Sequence, residues 1–322
     1  MNLTGFNPTM VMKSGILALL FAAFSLSAVA APLNTVSRAV IPADIQQVIN
    51  VDYRSMQDSP SAQALKAKVL PDQLKQFESA LKSAGINPER DIDQLTFASF
   101  RLKDKPLQIV GVAQGEFALP QVFAKLRAKK IRPTKYRKTL IYPMGASGLQ
   151  MALLDDFTML FGETGAVKAA LDTRDGDNLS LTSNTQMTDM ISSVDSDAIW
   201  SVLDAAGTQN MMKSALGEAS QLGDYEMIRK RLLGSRYKMD FANGVKFNLY
   251  VATSDSFTAA TLSSLLKAGV LYKKMSASPA EKVALENMTV DSNSKDLTLK
   301  FESDDKKFIS LVNSDLFAAI AK

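Results

Sequence analysis

The chain has 322 residues, with 37 Lys and Arg against 33 Asp and Glu, a formal charge of +4, and neither Cys nor His. Without those two residue types there is no thiol nucleophile, no imidazole base, no Ser-His-Asp triad, no disulfide and no thiolate or imidazole metal site. So mild a positive charge also argues against nucleic acid, whose phosphates need a concentrated basic face.

Residues 1–30 read as a cleaved signal peptide. Lys13 supplies the positive start, and residues 15–24 (GILALLFAAF) form an apolar run too short to remain across a bilayer. Ala28 and Ala30 are the small residues a signal peptidase reads, which places cleavage before Ala31. The expected destination is the periplasm or the medium. No later stretch has the length of a transmembrane span.

Residues 31–40 read as a leader. A first strand is expected over 48–53, and Ser59-Pro60 opens a helix with an N-cap and a proline at the first helical position. Leu74, Phe77, Leu81 and Ala84 repeat at helical spacing, and Gly85 is placed to end that helix in the left-handed conformation, with Leu81 reaching Ile86 across the cap. Strands are expected over 95–102 and 107–113 around the turn Lys103-Asp104-Lys105-Pro106. Leu119, Val122, Phe123 and Leu126 mark a helix. Strands over 139–144 and 149–161 follow, the second bent or bulged near Asp155-Asp156, and a helix over 165–171 closes the set.

Residues 172–188 are rich in Asp, Asn, Ser and Thr and read as a linker. The order of elements then restarts. A strand over 198–203 holds Trp200, and a helical region covers 208–233. Strands over 237–242 and 245–253 flank the hairpin signal Asn243-Gly244. Leu262, Leu265, Leu266 and Gly269 mark a helix, and Ser278-Pro279-Ala280-Glu281 is a capping box that starts another. Strands over 288–291 and 297–301 precede a last helix capped by Ser303 and running to 320.

The first hairpin turns near 104 and 244, the second near 146 and 293, and closing helices start near 165 and 304. This order predicts an α+β fold of two tandem similar units, 41–171 and 189–322, each a largely antiparallel sheet with helices on one face. The alternative is one sheet formed across both halves.

The densest charge feature is an acid-free run of cations: Lys125, Arg127, Lys129, Lys130, Arg132, Lys135, Arg137 and Lys138. It suits an anionic surface, such as lipid headgroups or an acidic polysaccharide, while a solvated helix end and loop would explain it without function. Arg229, Lys230, Arg231, Arg236 and Lys238 form a weaker group that would share its face if the halves pair in space.

Carboxylate pairs occur at Asp91/Asp93, Asp155/Asp156, Asp195/Asp197 and Asp304/Asp305, the raw material of glycosidic acid–base work. The run from Asp172 to Asn178 lacks the glycine register and closing Glu of a calcium loop. Ser-x-x-Lys spacings at Ser79/Lys82, Ser235/Lys238, Ser264/Lys267, Ser292/Lys295 and Ser303/Lys306 permit a Ser-Lys nucleophile, without the companion motifs of penicillin-binding enzymes. Met187/Met190 and Met211/Met212 are pairs of thioethers, ligands for cuprous copper or plain core filler. No phosphate loop or dinucleotide fingerprint is present, so no cofactor is expected. The reading that results is an exported, non-catalytic envelope protein that binds a partner protein, a lipid headgroup or an acidic polysaccharide. Its alternatives are an envelope hydrolase using carboxylates or a Ser-Lys pair, and a carrier of an apolar ligand.

Overall fold

The computed structural model describes residues 32–101, 106–216, 225–314 and 317. The expected signal peptide, the first residue of the leader and the turn at 103–105 lie outside the described residues.

Strands and helices come in this order: α1 (Thr35–Val40), β1 (Ile45–Asp52), α2 (Pro60–Val69), α3 (Asp72–Ala84), α4 (Pro88–Asp91), β2 (Ile92–Phe100), β3 (Gln108–Gly115), α5 (Leu119–Ala128), β4 (Thr134–Tyr136), β5 (Thr139–Pro143), β6 (Gln150–Leu153), β7 (Thr158–Gly162), α6 (Thr164–Arg174) and α7 (Thr185–Ser192). The second half continues with β8 (Ile199–Leu203), α8 (Ala205–Leu216), α9 (Tyr225–Arg229), β9 (Leu232–Asp240), β10 (Val245–Thr253), α10 (Ser256–Ser276), α11 (Pro279–Glu286), β11 (Met288–Asn293), β12 (Asp296–Ser303) and α12 (Asp305–Val312).

Several local signals act as expected. Ser59 caps α2 by accepting from the Ala62 amide, and Ser278 with Glu281 forms the capping box of α11. Gly85 ends α3 at φ 93°, and the Ile86 amide reaches the Leu81 carbonyl at 3.0 Å. The expected long strand over 149–161 is instead the hairpin β6–β7. Asp155 makes a turn there by accepting from the Phe157 amide at 2.8 Å, so the polar pair interrupts the strand rather than bending it.

All the strands join one twelve-stranded sheet, in the order β11-β12-β10-β9-β8-β1-β2-β3-β7-β6-β5-β4, every neighbour antiparallel. This corrects the expectation of one sheet per half. Val48 of β1 faces Ala98 of β2 on one side and Val202 of β8 on the other. Separate sheets would leave β1 and β8 as open edges, each with apolar side chains to cover; pairing them removes both edges.

The helices are not gathered on one face either. On the first face, α1, α6 and α7 bury Val48, Ala98, Val110, Leu160, Trp200 and Val202. On the second face, α3 and α5 bury Ala113, Met151, Met159 and Phe161. Farther along that face, α8 and α10 cover Leu249, Val251 and Leu297, while α2, α11 and α12 cover Val245 and Phe301. Strand β7 (TMLFG) is buried at every residue, the continuous apolar run of a strand covered on both sides. After β7, α6 packs on the first face; after β12, α12 packs on the second. The first face of the second half therefore carries polar side chains: Arg236, Lys238, Lys246, Asn248, Tyr250, Thr298 and Lys300.

Residues 172–188 hold the end of α6, the fully buried Leu181, a bridge from Ser180 to Pro42, and the first turn of α7.

Candidate anion-binding surface

The cation run begins on α5, crosses its C-terminus and continues into the β4–β5 hairpin at one end of the sheet. Val122 and Leu126 turn inward from α5, while Lys125, Arg127 and the C-cap Lys129 are exposed. The helix closes with the Ile131 amide on the Leu126 carbonyl at 3.0 Å. That closure holds Lys130 at φ 57°, where glycine is the usual residue. Arg137, in the two-residue turn between β4 and β5, sits at φ 52°. Pro133 precedes the outermost strand and Lys135 lies on it, where both discourage edge pairing.

Two of these cations have internal tasks. The stem of Lys125 lies across Gly85 at the end of α3, near carbonyls that favour a cation. Arg137 donates to Asp172 at 2.7 Å, pairs with Asp177, and has Asp175 at 3.8 Å. Hydrogen bonds to Asp172 and Asp177 raise its pKa above the ordinary guanidinium value. Tyr136 donates to the same Asp172 at 2.8 Å, which raises the phenol pKa, and Lys168 stands 5.0 Å from its ring centre. The acids of the 172–178 run thus clamp the hairpin to the end of α6. Arg127, Lys129, Lys130, Arg132, Lys135 and Lys138 are exposed and pair with no carboxylate among the described residues.

Four of the five cations in the second basic group are engaged within the fold, and Lys230 is exposed. Arg229 pairs with Glu226, Arg231 with Asp255 and Lys238 with Asp197, and Arg236 lies 4.8 Å from the Tyr250 ring centre. Strand β9 is fourth in the sheet and β4 is last, so the two groups do not share a site.

Three of the four carboxylate pairs are likewise occupied. Asp91 pairs with Arg90, Asp93 with Arg54 and Asp195 with Arg38. Asp304 caps α12, and Asp305 accepts from Ser61 at 2.6 Å. Asp155 and Asp156 lie exposed in a turn. In the Ser-x-x-Lys set, Ser79 and Ser264 donate to carbonyls of their own helices, and Ser235 is buried against Thr208 on the face opposite Lys238. Lys66 donates to Tyr53, which donates to Glu78 at 3.3 Å. Burial opposes the charge on Lys66, but Tyr53 and Glu78 outweigh it and the pKa is raised, which holds the amine protonated. Met187 and Met212 are core residues. Among the described residues no cluster of His, Cys, Asp and Glu is arranged to hold a metal.

An open polar groove of about 530 Å³ is lined by residues including Lys246, Thr289, Lys300, Glu302 and Asp304. An apolar crevice of about 30 Å³ lies among Leu74, Phe77, Leu95, Phe97 and Phe161. That is far below the roughly 300–1,000 Å³ of a ligand pocket.

One surface escaped the sequence reading. Helix α10 carries Lys267, Lys273 and Lys274 and no acid. At about 3.6 residues per turn, Ala259, Leu262 and Leu266 face the core, and the opposite side presents Phe257, Ser264, Ala268, Leu271 and Met275. Phe257 is 71% exposed, Leu271 and Tyr272 65% each, and Met275 84%. Surface helices normally turn charge outward. The signal available in the sequence was an apolar period on both sides of the helix. Among the described residues no helix is long and apolar enough to cross a membrane.

No protein-family model and no curated protein matches the sequence. Among solved structures, crystal form I of TP0453 matches with a TM-score of 0.53 and 7% identity, over 92% of this chain and 100% of that one. Crystal form III of TP0453 gives a TM-score of 0.48 with 8% identity, over 89% of this chain and 99% of that one. The likeness to form I is one of fold: mixed helix and strand around a large antiparallel sheet.

Proposed function

We propose that this is an exported, non-catalytic protein of the cell envelope that attaches to anionic lipid surfaces. The observation that carries the reading is the cation run, whose Arg127, Lys129, Lys130, Arg132, Lys135 and Lys138 are exposed and form no ion pair among the described residues. A cation near an anionic bilayer contributes about 1 kcal/mol, so a cluster of them is sufficient for attachment. The exposed apolar side of α10 favours lipid over polysaccharide, because a hydrated sugar polymer offers nothing to Phe257, Leu271 or Met275. Among the described residues the hydrolase reading has no convergent acid pair, and Ser79, Ser235 and Ser264 hydrogen-bond elsewhere. For the carrier reading, the groove of about 530 Å³ is open and polar, and the apolar crevice among the described residues holds only about 30 Å³.

The same proposal includes two units of common descent, 41–171 and 189–322 with 172–188 between them. Its support is the pairing order, β1-β2-β3-β7-β6 on one side of the β1/β8 seam and β8-β9-β10-β12-β11 on the other. Export and signal cleavage remain inferences from residues 1–30. Mass spectrometry of the protein from fractionated cells should find Ala31 at its N-terminus.

Vesicle flotation tests the binding. Phosphatidylglycerol vesicles should retain the protein at low salt and release it at high salt, and neutral vesicles should not retain it. Reversing Lys129, Lys130 and Arg132 to Glu should weaken retention at least about tenfold. Retention on an acidic polysaccharide but not on vesicles would overturn the lipid assignment.

A further inference from the structure

The two edges of the sheet differ. Strand β4 is three residues long, follows Pro133, contains Lys135 and is followed by Arg137 and Lys138, all features that discourage pairing. Strand β11, at the other end, is six residues long (MTVDSN) and has no proline, no lysine and no bulge. Among the described residues nothing pairs with its outer side.

This edge is held in place. The β11–β12 hairpin keeps an unbroken register from Met288↔Phe301 to Asn293↔Asp296. At its tip, the Lys295 carbonyl accepts from both the amide and the hydroxyl of Thr253, at 2.9 and 2.8 Å. Behind it, Val290 packs against the core under α10. A fixed row of unpaired amides and carbonyls is a template for another strand.

We infer that β11 pairs with β11 of a second copy of this chain, antiparallel about a two-fold axis at Val290, to form one sheet through both molecules. The sequence of the strand selects this occupant and this register. In antiparallel pairing, directly opposed residues lie on the same face, so the axis must pass through a residue of one face or the other. With the axis at Asp291, that carboxylate would face its own copy, which is unfavourable. With the axis at Val290, Val290 meets Val290, Met288 meets Ser292, and Thr289 meets Asp291. Apolar and small side chains then lie together on the core side, and each carboxylate faces a hydroxyl. The pairing is isologous and closed, so it stops at a dimer.

Thr289 and Asp291 are exposed on the polar face, so charges can be exchanged there without touching the core. Sedimentation of the intact protein should show a concentration-dependent dimer. Thr289→Asp sets a carboxylate against Asp291 of the copy on each side of the axis and should weaken dimerisation at least about tenfold. Adding Asp291→Lys to that variant restores opposite charges across the axis and should return the affinity. The chain has no cysteine, so Val290→Cys is a unique probe. Opposed Cα atoms about 4.5–5.5 Å apart lie within disulfide reach. Val290→Cys should cross-link under mild oxidation, and Lys135→Cys on β4 should not. A wild-type monomer at about 100 μM would overturn the inference, since a working interface should be populated there. Equal cross-linking at positions 290 and 135 would overturn it as well.

Discussion

Lys130 occupies backbone that suits glycine, at φ 57°. A left-handed conformation costs an L-residue roughly 1–2 kcal/mol, and glycine's larger unfolded entropy returns part of that. Lys130→Gly should therefore stabilise the protein by about 0.5–1 kcal/mol in urea titration while weakening retention on anionic vesicles. A gain in stability with no loss of retention would mean the lysine has no binding task. Asp255 gives a second measurement. It caps α10 by accepting from the Thr258 amide, and the Thr258 and Ser254 hydroxyls and Arg231 add to that, which lowers its pKa from 3.8 to about 2. Depression in the folded state means its contribution is complete above about pH 4 and fades as pH falls toward about 2. Wild type should exceed Asp255→Asn in urea midpoint at pH 5, and the gap should shrink by pH 2.5; a constant gap would show that the carboxylate charge plays no part. Caps and left-handed glycines such as Gly85 were legible because each rests on a few adjacent residues. The ties of Arg137 to Asp172 and Asp177 were not, since they join segments far apart in the chain.

At the scale of elements, the first half is organised around Phe161 of β7. Its ring stacks on Phe77 of α3 at 4.9 Å, meets Phe97 of β2 edge-on at 5.6 Å, and lies over Gly111 of β3. A Cβ at position 111 would come within 2.1 Å of that ring. Gly111→Ala should thus push the ring off its two aromatic neighbours and destabilise the protein by about 1–3 kcal/mol in urea, with a matching change in near-ultraviolet dichroism. An unchanged midpoint would show that α3 shifts freely. Most helices and strands could be read because their periods are long and regular. Strand β4 was missed because three polar residues in a basic run carry no alternation, and α10 was read only for its core side. Its inward leucines gave a clear helical period, and nothing local shows whether the opposite side meets water, lipid or protein.

The whole molecule turns on the seam between β1 and β8. Pairing order repeats on either side of it, yet the core beneath belongs to both halves: Val48 and Ala98 from one, Trp200, Val202 and Ile191 from the other. The order of elements along the chain was legible in the sequence and the seam was not, because strand partners are chosen by buried surface rather than by position in the chain. The two edge strands lie at opposite ends of the sheet. Eleven strand spacings separate β11 from β4, about 50 Å, and a twist of roughly 20–25° per strand turns the sheet through more than half a revolution between them. A shared core has a thermodynamic consequence. Opening either half would expose the apolar side of the other's central strand, so neither should unfold alone. Trp200, the one tryptophan, stands on β8 at that junction and reports on it directly. Its fluorescence and the far-ultraviolet dichroism should therefore trace the same single urea transition. Val202→Asp would bury an unpaired charge at the seam and should lower that midpoint for both signals together. Two transitions, or a Val202→Asp variant in which only one signal moves, would show that the halves are separate folding units despite the continuous sheet.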